Sequence, residues 1–137
     1  VIAVETAMRR GEILSARWKD LNKASSTLRI PDTKTGVERT IPLTLQALEA
    51  IASLPASEDY IFPMSANAAR LAWEKLKARQ SIEDLRFHDL RHEAISRFFE
   101  RGLSIAEVAL ISGHKDPRML FRYTHLRAED VAKKLQK

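Results

Sequence analysis

The helix predicted over residues 88–101 carries an arginine inside its apolar stripe. At about 100° per residue, Arg91 falls on the same side of that helix as Ile95 and Phe98. A guanidinium group in such a stripe is costly to desolvate unless it is paired or contacts a ligand. Arg91 is therefore either a structural side chain or part of a binding site. A structural Arg91 would need a carboxylate partner, for which the candidates are Glu12, Asp84 and Asp89.

The remaining pattern predicts a mainly α-helical domain with a small antiparallel β-hairpin, an α+β fold. Two short runs rich in β-branched and apolar residues, 26–31 and 37–43, predict the strands. A polar turn joins them at 32–36, where Gly36 allows a positive φ. Helices are predicted on both sides of this hairpin, over 1–18, 44–54, 65–79, 88–101 and 104–113, from Asp116 onward, and over 127–137.

The length of 137 residues fits one domain with its own core. The sequence begins at Val1, without a methionine, inside a stretch that already has helical character. We therefore expect residues 1–137 to form a single domain of a longer protein whose N-terminal part is absent.

Several classes of protein are disfavoured by composition. No apolar run reaches the roughly 20 residues of a membrane span, and no signal-peptide pattern is present. The sequence therefore predicts a cytoplasmic protein. Cysteine is absent, which excludes disulfides, thiolate nucleophiles and cysteine-based zinc sites.

The charge is unevenly distributed along the chain. Residues 43–66 contain Glu49, Glu58 and Asp59 but no lysine or arginine, a local charge of −3, whereas the whole chain carries +5. The rest of the chain therefore carries +8, enough for a basic face that binds a polyanion by displacing its counterions. An ordinary solvated surface would explain the charge equally well, because 30% charged residues is close to the usual level.

Two histidines share a side of the helix with Arg91. His88 lies near the helix start, where exposed N–H groups and the helix dipole favour an anion. His88 and His92 also have the i, i+4 spacing of two metal ligands on one helix. Asp89 and Arg91 stand between them, however, so a cation would lie against the metal. The sequence therefore favours an anion over a metal at this position.

Four further side chains are candidates for chemistry, namely Arg9, Lys34, His114 and Tyr123. Taken alone, each has an ordinary interpretation: a solvated arginine, an exposed turn lysine, a polar helix end and the edge of a core. Together with His88 and Arg91 they supply a phenol, two guanidinium groups, an ammonium and two imidazoles. Nucleophilic attack on phosphorus needs such groups when no divalent cation neutralises the charge.

These residues occur in segments that resemble the conserved boxes of the tyrosine recombinases, or phage-type integrases. Four segments carry the resemblance in the family's order: TAMRRGE at 6–12, KTG at 34–36, HDLRH at 88–92, and SGHK at 112–115 followed by Tyr123 nine positions after His114. The match extends from residue 1 to about residue 130. Ala7 departs from the pattern, because many members carry glycine there.

The resemblance implies the catalytic-domain fold of the DNA breaking-rejoining enzymes and roles for the nucleophile and the cations. Tyr123 would attack the scissile phosphate of DNA and become joined to the 3′ end. Arg9 and Arg91 would hold the non-bridging phosphate oxygens through charge-assisted hydrogen bonds. Lys34 would protonate the leaving 5′ oxygen. Neither a cofactor nor a metal is implied.

The resemblance also implies roles for the histidines and for one carboxylate. His88 would be the acid/base group nearest the tyrosine, and His114 would donate to a phosphate oxygen. Glu12, one helical turn after Arg9, would orient that arginine. His92 would pack or bond to the backbone.

The expected partners are double-stranded DNA and other protomers of the same recombinase, as a tetramer on two DNA sites. The C-terminal stripe of Ala128, Val131, Ala132 and Leu135 would dock on a neighbouring protomer or pack back on its own domain. Two other functions remain open at this stage. A type IB topoisomerase would use the same chemistry, and a catalytically silent DNA-binding module would use the arginines only to hold phosphate.

Overall fold

The computed structural model describes residues 1–31, 38–57 and 59–137, in which seven α-helices surround a three-stranded antiparallel sheet. The α-helices are α1 Ile2–Thr6, α2 Arg10–Ser15, α3 Leu45–Ala52, α4 Ala66–Arg79, α5 Asp89–Glu100, α6 Ile105–Ser112 and α7 Ala128–Leu135. The strands are β1 Leu21–Asn22, β2 Thr27–Ile30 and β3 Arg39–Pro42. Two 3₁₀ helices cover Trp18–Asp20 and Pro117–Tyr123. The predicted mainly α fold with a small antiparallel sheet is confirmed.

The opening segment forms two helices, so the prediction of one helix over residues 1–18 is wrong. Ala7 ends α1 in the left-handed region at φ 58°, and Arg9 is extended. The Thr6 hydroxyl donates to the Ile2 carbonyl at 2.6 Å and accepts from the Met8 N–H at 3.2 Å, which satisfies backbone groups at the break. Consequently Arg9 lies on a short extended linker between α1 and α2.

The sheet contains one more strand than predicted. β2 pairs with β3 as expected for the hairpin, and the buried residues Leu28 and Ile41 are cross-strand partners. Residues 19–22, expected to be the exit of the first helix, instead end a 3₁₀ turn and form β1, which pairs with β2. The predicted hairpin turn at 32–36 lies outside the described residues.

The core lies where α1, α5, α6 and β3 meet. The apolar side of α5 is buried through Ala94, Ile95 and Phe98, as its periodicity predicts. Val108 and Ile111 of α6 are also buried. Because these elements share one core, residues that are distant in sequence are brought to one end of α5.

Side-chain caps fix the starts of the later helices. Ser65 accepts a hydrogen bond from the Ala68 N–H at the start of α4, and Ser104 and Glu107 form the predicted capping box of α6. Asp116 caps the segment that begins with Pro117, but this segment is a 3₁₀ helix that ends at Tyr123. The cap therefore determines where the helix carrying the tyrosine begins.

None of the residues of helix α7 is buried in the domain. Its residues are all exposed, including the apolar residues Val131 and Leu135. Within the described residues, no helix is both long and apolar enough to cross a membrane.

Arg39 joins β3 to α2 through a buried ion pair and to α6 through a hydrogen bond. The Arg39 guanidinium donates to Glu12 through Nη1 at 2.7 Å and Nη2 at 3.0 Å, and through Nε to the Ile111 carbonyl at 2.8 Å. Glu12 is only 3% exposed. A Cβ on Gly113 would lie 3.0 Å from Cζ of Arg39, and Gly113 has φ 78°, so only glycine fits there without strain. The pair therefore fixes the C-terminal end of α6 against β3.

Replacing Glu12 tests the contribution of this ion pair. Glu12→Gln removes the negative charge from the buried pair with Arg39, and we expect it to lower the free energy of unfolding by about 3 kcal/mol in urea titrations. The matched control is Glu93→Gln, which breaks an exposed i, i+4 pair with Arg97 and should cost at most about 0.5 kcal/mol. Equal effects of the two substitutions would contradict the structural role of Glu12.

Candidate active site

Five of the six predicted site residues lie around the ends of α1, α5 and α6. Arg91 on α5 donates from Nη1 to the carbonyl of Ala7 at 2.6 Å and from Nη2 to the carbonyl of Ser112 at 2.8 Å. Arg9 and His114 each follow one of these acceptors by two residues. The sixth residue, Lys34, lies outside the described residues.

Arg91 is buried without a direct carboxylate partner among the residues that the structure describes. It is 4% exposed, and the two hydrogen bonds that hold it go to carbonyl oxygens rather than to Glu12, Asp84 or Asp89. Burial, followed by the charges of Arg9 and Arg39, lowers the pKa of Arg91 to about 10. The group is still a cation at neutral pH, and carbonyl oxygens do not neutralise it. This arrangement favours an anionic ligand.

Glu12 holds the backbone of Arg9, so the predicted contact between these two residues is present. Its Oε1 accepts the Arg9 N–H at 2.9 Å, and its Oε2 lies 3.8 Å from Nη1 of Arg9. Burial alone would raise the pKa of Glu12, but the hydrogen bonds from Arg39 and from the Arg9 backbone outweigh it and lower the pKa. Glu12 is therefore ionised at neutral pH and already bound to Arg39.

The Arg9 side chain retains capacity to bind. Its Nη1 atom is buried and has no hydrogen-bond partner among the described residues. A buried guanidinium nitrogen without a partner is costly, and an anionic oxygen placed beside it would remove that cost.

His114 presents a neutral imidazole that is hydrogen-bonded to Ser112. The Ser112 hydroxyl accepts the His114 backbone N–H at 3.4 Å and lies 2.6 Å from Nδ1. A hydroxyl that donates its hydrogen to Nδ1 leaves the ring proton on Nε2, which is then free to donate to a ligand. Burial, followed by the charges of Arg91, Arg9 and Arg122, lowers the pKa of His114 to about 4. The ring is therefore an uncharged donor at neutral pH.

The Tyr123 hydroxyl is bound by two residues to which the sequence analysis gave no part in the chemistry. It forms hydrogen bonds with Nδ1 of His92 and with Nη2 of Arg122, the latter at 3.0 Å. His92 packs against the rings of His88 and Tyr123, as one of its two predicted roles requires, but its hydrogen bond goes to a side chain rather than to the backbone. Its spacing of one helical turn after His88 already placed it on the same side, whereas nothing in the sequence indicated that Arg122 would contact the tyrosine.

His88 does not contact the Tyr123 hydroxyl directly, because the ring of His92 lies next to that hydroxyl. Its ring contacts that of His92 edge-to-face, with centroids 5.4 Å apart, and forms no hydrogen bond with any described residue. Burial, followed by the charges of His92 and Arg91, lowers the pKa of His88. The position nearest the tyrosine, which the sequence analysis gave to His88, is occupied by His92.

Arg39 is a further residue that the sequence analysis missed. Strand residues two apart point to the same face, and Ile41 is an obvious core residue. Arg39 should therefore have been expected on the buried face of β3.

In the described part of the chain, no group of three or more histidine and acidic side chains is arranged to hold a metal ion.

The low pKa of His114 predicts a pH dependence of stability. Between about pH 6.5, the value for a free histidine, and about pH 4, the unfolded chain binds a proton at this residue that the folded chain does not. Stability should therefore fall as the pH falls through this range. We expect the loss of unfolding free energy between pH 7 and pH 5 to be smaller in His114→Asn than in the wild type.

The matched control is His125→Asn, which removes an exposed histidine that makes no hydrogen bond to the site. It should lose as much stability as the wild type over the same range. If His114→Asn lost as much unfolding free energy as the wild type over this pH range, the neutral state assigned to His114 would be contradicted.

A family model described as the phage integrase family matches residues 1–130. The chain is 46% identical over 136 residues to a shufflon-specific DNA recombinase of Escherichia coli, a match that covers 98% of this chain and 35% of the relative. The chain thus spans about a third of the length of that curated relative.

Solved structures share the fold. The catalytic domain of bacteriophage HP1 integrase superposes with a TM-score of 0.77 at 23% identity, covering 98% of this chain and 77% of that chain. A Tn1549 transposon integrase solved in complex with circular intermediate DNA gives a TM-score of 0.72 at 20% identity, covering 99% of this chain and 55% of that chain. The family match over nearly the whole chain, with the predicted segments in order, establishes that the protein belongs to the phage integrase family.

Proposed function

We propose that residues 1–137 form the catalytic domain of a site-specific DNA recombinase that cleaves and rejoins DNA through a 3′-phosphotyrosine, without a metal ion. One observation supports this most directly. Among the described residues, Arg91 is a buried cation whose hydrogen bonds go to carbonyl oxygens, and the buried Nη1 of Arg9 has no hydrogen-bond partner there. A phosphate is a suitable ligand for such a pair. Tyr123 supplies a nucleophile close enough to Arg91 to influence the pKa of its guanidinium group.

The proposed reaction is a transesterification. The oxygen of Tyr123 attacks the scissile phosphorus, and the bond from phosphorus to the 5′ oxygen breaks. Arg9 and Arg91 stabilise the charge that grows on the non-bridging oxygens in the pentavalent transition state. Lys34 donates a proton to the leaving 5′ oxygen. The product is a 3′-phosphotyrosine and a free 5′ hydroxyl, and the reverse reaction rejoins the strand.

The two predicted site histidines act on the phosphate in this proposal. Nε2–H of His114 donates to a non-bridging oxygen, which suits its neutral state and the Ser112 contact at Nδ1. His88 lies near the start of α5, where an anion is favoured, and contributes as an acid/base group on the side of Arg91.

The proposed substrate is double-stranded DNA in the cytoplasm. The charge of +8 outside residues 43–66 supports binding of a polyanion. A related fold, that of the Tn1549 integrase, has been solved with DNA. The relatives are longer than this chain, and we propose that a second, DNA-clamping domain belongs with residues 1–137.

We further propose that the working enzyme is a tetramer on two DNA sites. The exposed apolar residues of α7, among them Val131 and Leu135, support docking of this helix on a neighbouring protomer. This contact would couple the active sites of adjacent protomers.

Substituting the nucleophile tests the proposed chemistry. The protein is incubated in EDTA at low salt with a pool of nicked suicide duplexes, and covalent protein–DNA bands are resolved on denaturing gels. Tyr123→Phe should abolish the band while leaving DNA affinity nearly unchanged, because only the attacking oxygen is removed.

The matched control is Tyr60→Phe. Tyr60 is the only other tyrosine in the sequence, and its hydroxyl contacts Arg17 away from the site. This variant should form the band at the wild-type level. A band that persists in Tyr123→Phe, or one that disappears from the wild type in EDTA, would refute the proposal.

A further inference from the structure

The hydroxyl of Tyr123 and two neighbouring side chains form a closed hydrogen-bonded triangle. Nδ1 of His92 contacts the hydroxyl, and Nη2 of Arg122 lies 3.0 Å from the hydroxyl oxygen and 3.2 Å from the same Nδ1. The rings of His92 and Tyr123 are nearly parallel, with centroids 6.1 Å apart.

The direction of each hydrogen bond follows from the donors available. A guanidinium group has only donors, so Nδ1 of His92 must be an unprotonated acceptor. With Nδ1 unprotonated, the proton of the His92 ring lies on Nε2. Arg122 also donates to the hydroxyl oxygen, which directs the hydroxyl hydrogen of Tyr123 toward Nδ1.

We propose that His92, rather than His88, is the base that accepts the phenolic proton of Tyr123 during attack on the phosphate. This inference rests on the proposed function. The observation that supports it is the hydrogen bond from the Tyr123 hydroxyl to Nδ1 of His92, because a general base must be within hydrogen-bond reach of the proton it removes.

Every bond, proton and electron pair in the proton transfer is accounted for. The O–H bond of Tyr123 breaks, its hydrogen goes to Nδ1 of His92, and its electron pair forms the new bond to phosphorus. His92 becomes an imidazolium with protons on both nitrogens, and returns the proton to the tyrosine when the strand is rejoined. Arg122 remains a cation and stabilises the negative charge that develops on the phenolic oxygen.

The charges around His92 come from several elements. His88 lies on the same helix, Arg122 and Tyr123 lie on the 3₁₀ helix, and Arg9 and His114 lie at the ends of α1 and α6. The bound phosphate would supply the compensating negative charge as the proton moves.

The test measures the rate constant of covalent complex formation on a nicked suicide duplex that the wild type cleaves. His92→Ala should be about 10²- to 10⁴-fold slower than wild type near neutral pH. A free phenol ionises with a pKa of about 10, so a reaction lacking its base should accelerate steadily as the pH is raised toward that value. Added imidazole should also restore part of the rate. A purely structural defect would respond to neither treatment.

Two further histidine variants serve as comparisons. His125→Ala removes the exposed histidine outside the triangle and should react at the wild-type rate. His88→Ala should show neither rescue by imidazole nor the steady rise with pH. If His88→Ala shows both responses and His92→Ala shows neither, His88 is the base and the inference is overturned.

A measurement on the free protein is independent of DNA. The ¹⁵N chemical shifts of the His92 ring should report a protonated Nε2 and an unprotonated Nδ1, and the opposite tautomer would overturn the inference. If the wild type forms no covalent complex, the proposed function fails together with this inference. If the wild type reacts and His92→Ala reacts equally fast, only the inference fails.

Discussion

The site depends on the clamping of Arg91 between the ends of α1 and α6. The carbonyls of a last helical turn lack partners within the helix, and Arg91 satisfies those of Ala7 and Ser112 together. Arg9 follows Ala7 and His114 follows Ser112, each by two residues. A single buried guanidinium therefore positions two other candidate phosphate ligands, although the residues are up to 105 positions apart in the sequence.

The second constraint is an imbalance of buried charge. The buried carboxylate of Glu12 is already bound to Arg39 and to the backbone of Arg9. Arg91 must therefore be stabilised by carbonyl oxygens, and the shift of its pKa to about 10 reflects the cost of its burial. A bound phosphate would offset this cost, so the burial of Arg91 favours binding of an anion.

The sequence predicted those features that depend on local patterns. The apolar periodicity of α5, the Ser104–Glu107 capping box and the two strands of the hairpin each follow from a few adjacent residues, and each is present. The break between α1 and α2 could not be predicted from propensity, because Ala7 adopts a left-handed conformation that residues other than glycine rarely adopt. The strand β1 was missed for a similar reason, since a two-residue strand exists only by pairing with β2.

The sequence pointed to the residues of the candidate site but not to how they are arranged. The family's spacing pointed to Arg9, His88, Arg91, His114 and Tyr123, but the partners of Arg91 depend on where two helices end. Helical spacing places His88 and His92 on one side of α5 without showing which ring reaches Tyr123. Arg39 and Arg122 act through contacts across the fold that no single segment reveals.

The most direct test of the account is to identify the amino acid that becomes linked to DNA. The covalent complex is trapped on a nicked duplex, digested with protease and nuclease, and analysed by mass spectrometry. The account predicts a nucleotide joined through its 3′ phosphate to the peptide that contains Tyr123. Linkage to Tyr60, to any other side chain, or through a 5′ phosphate would contradict it.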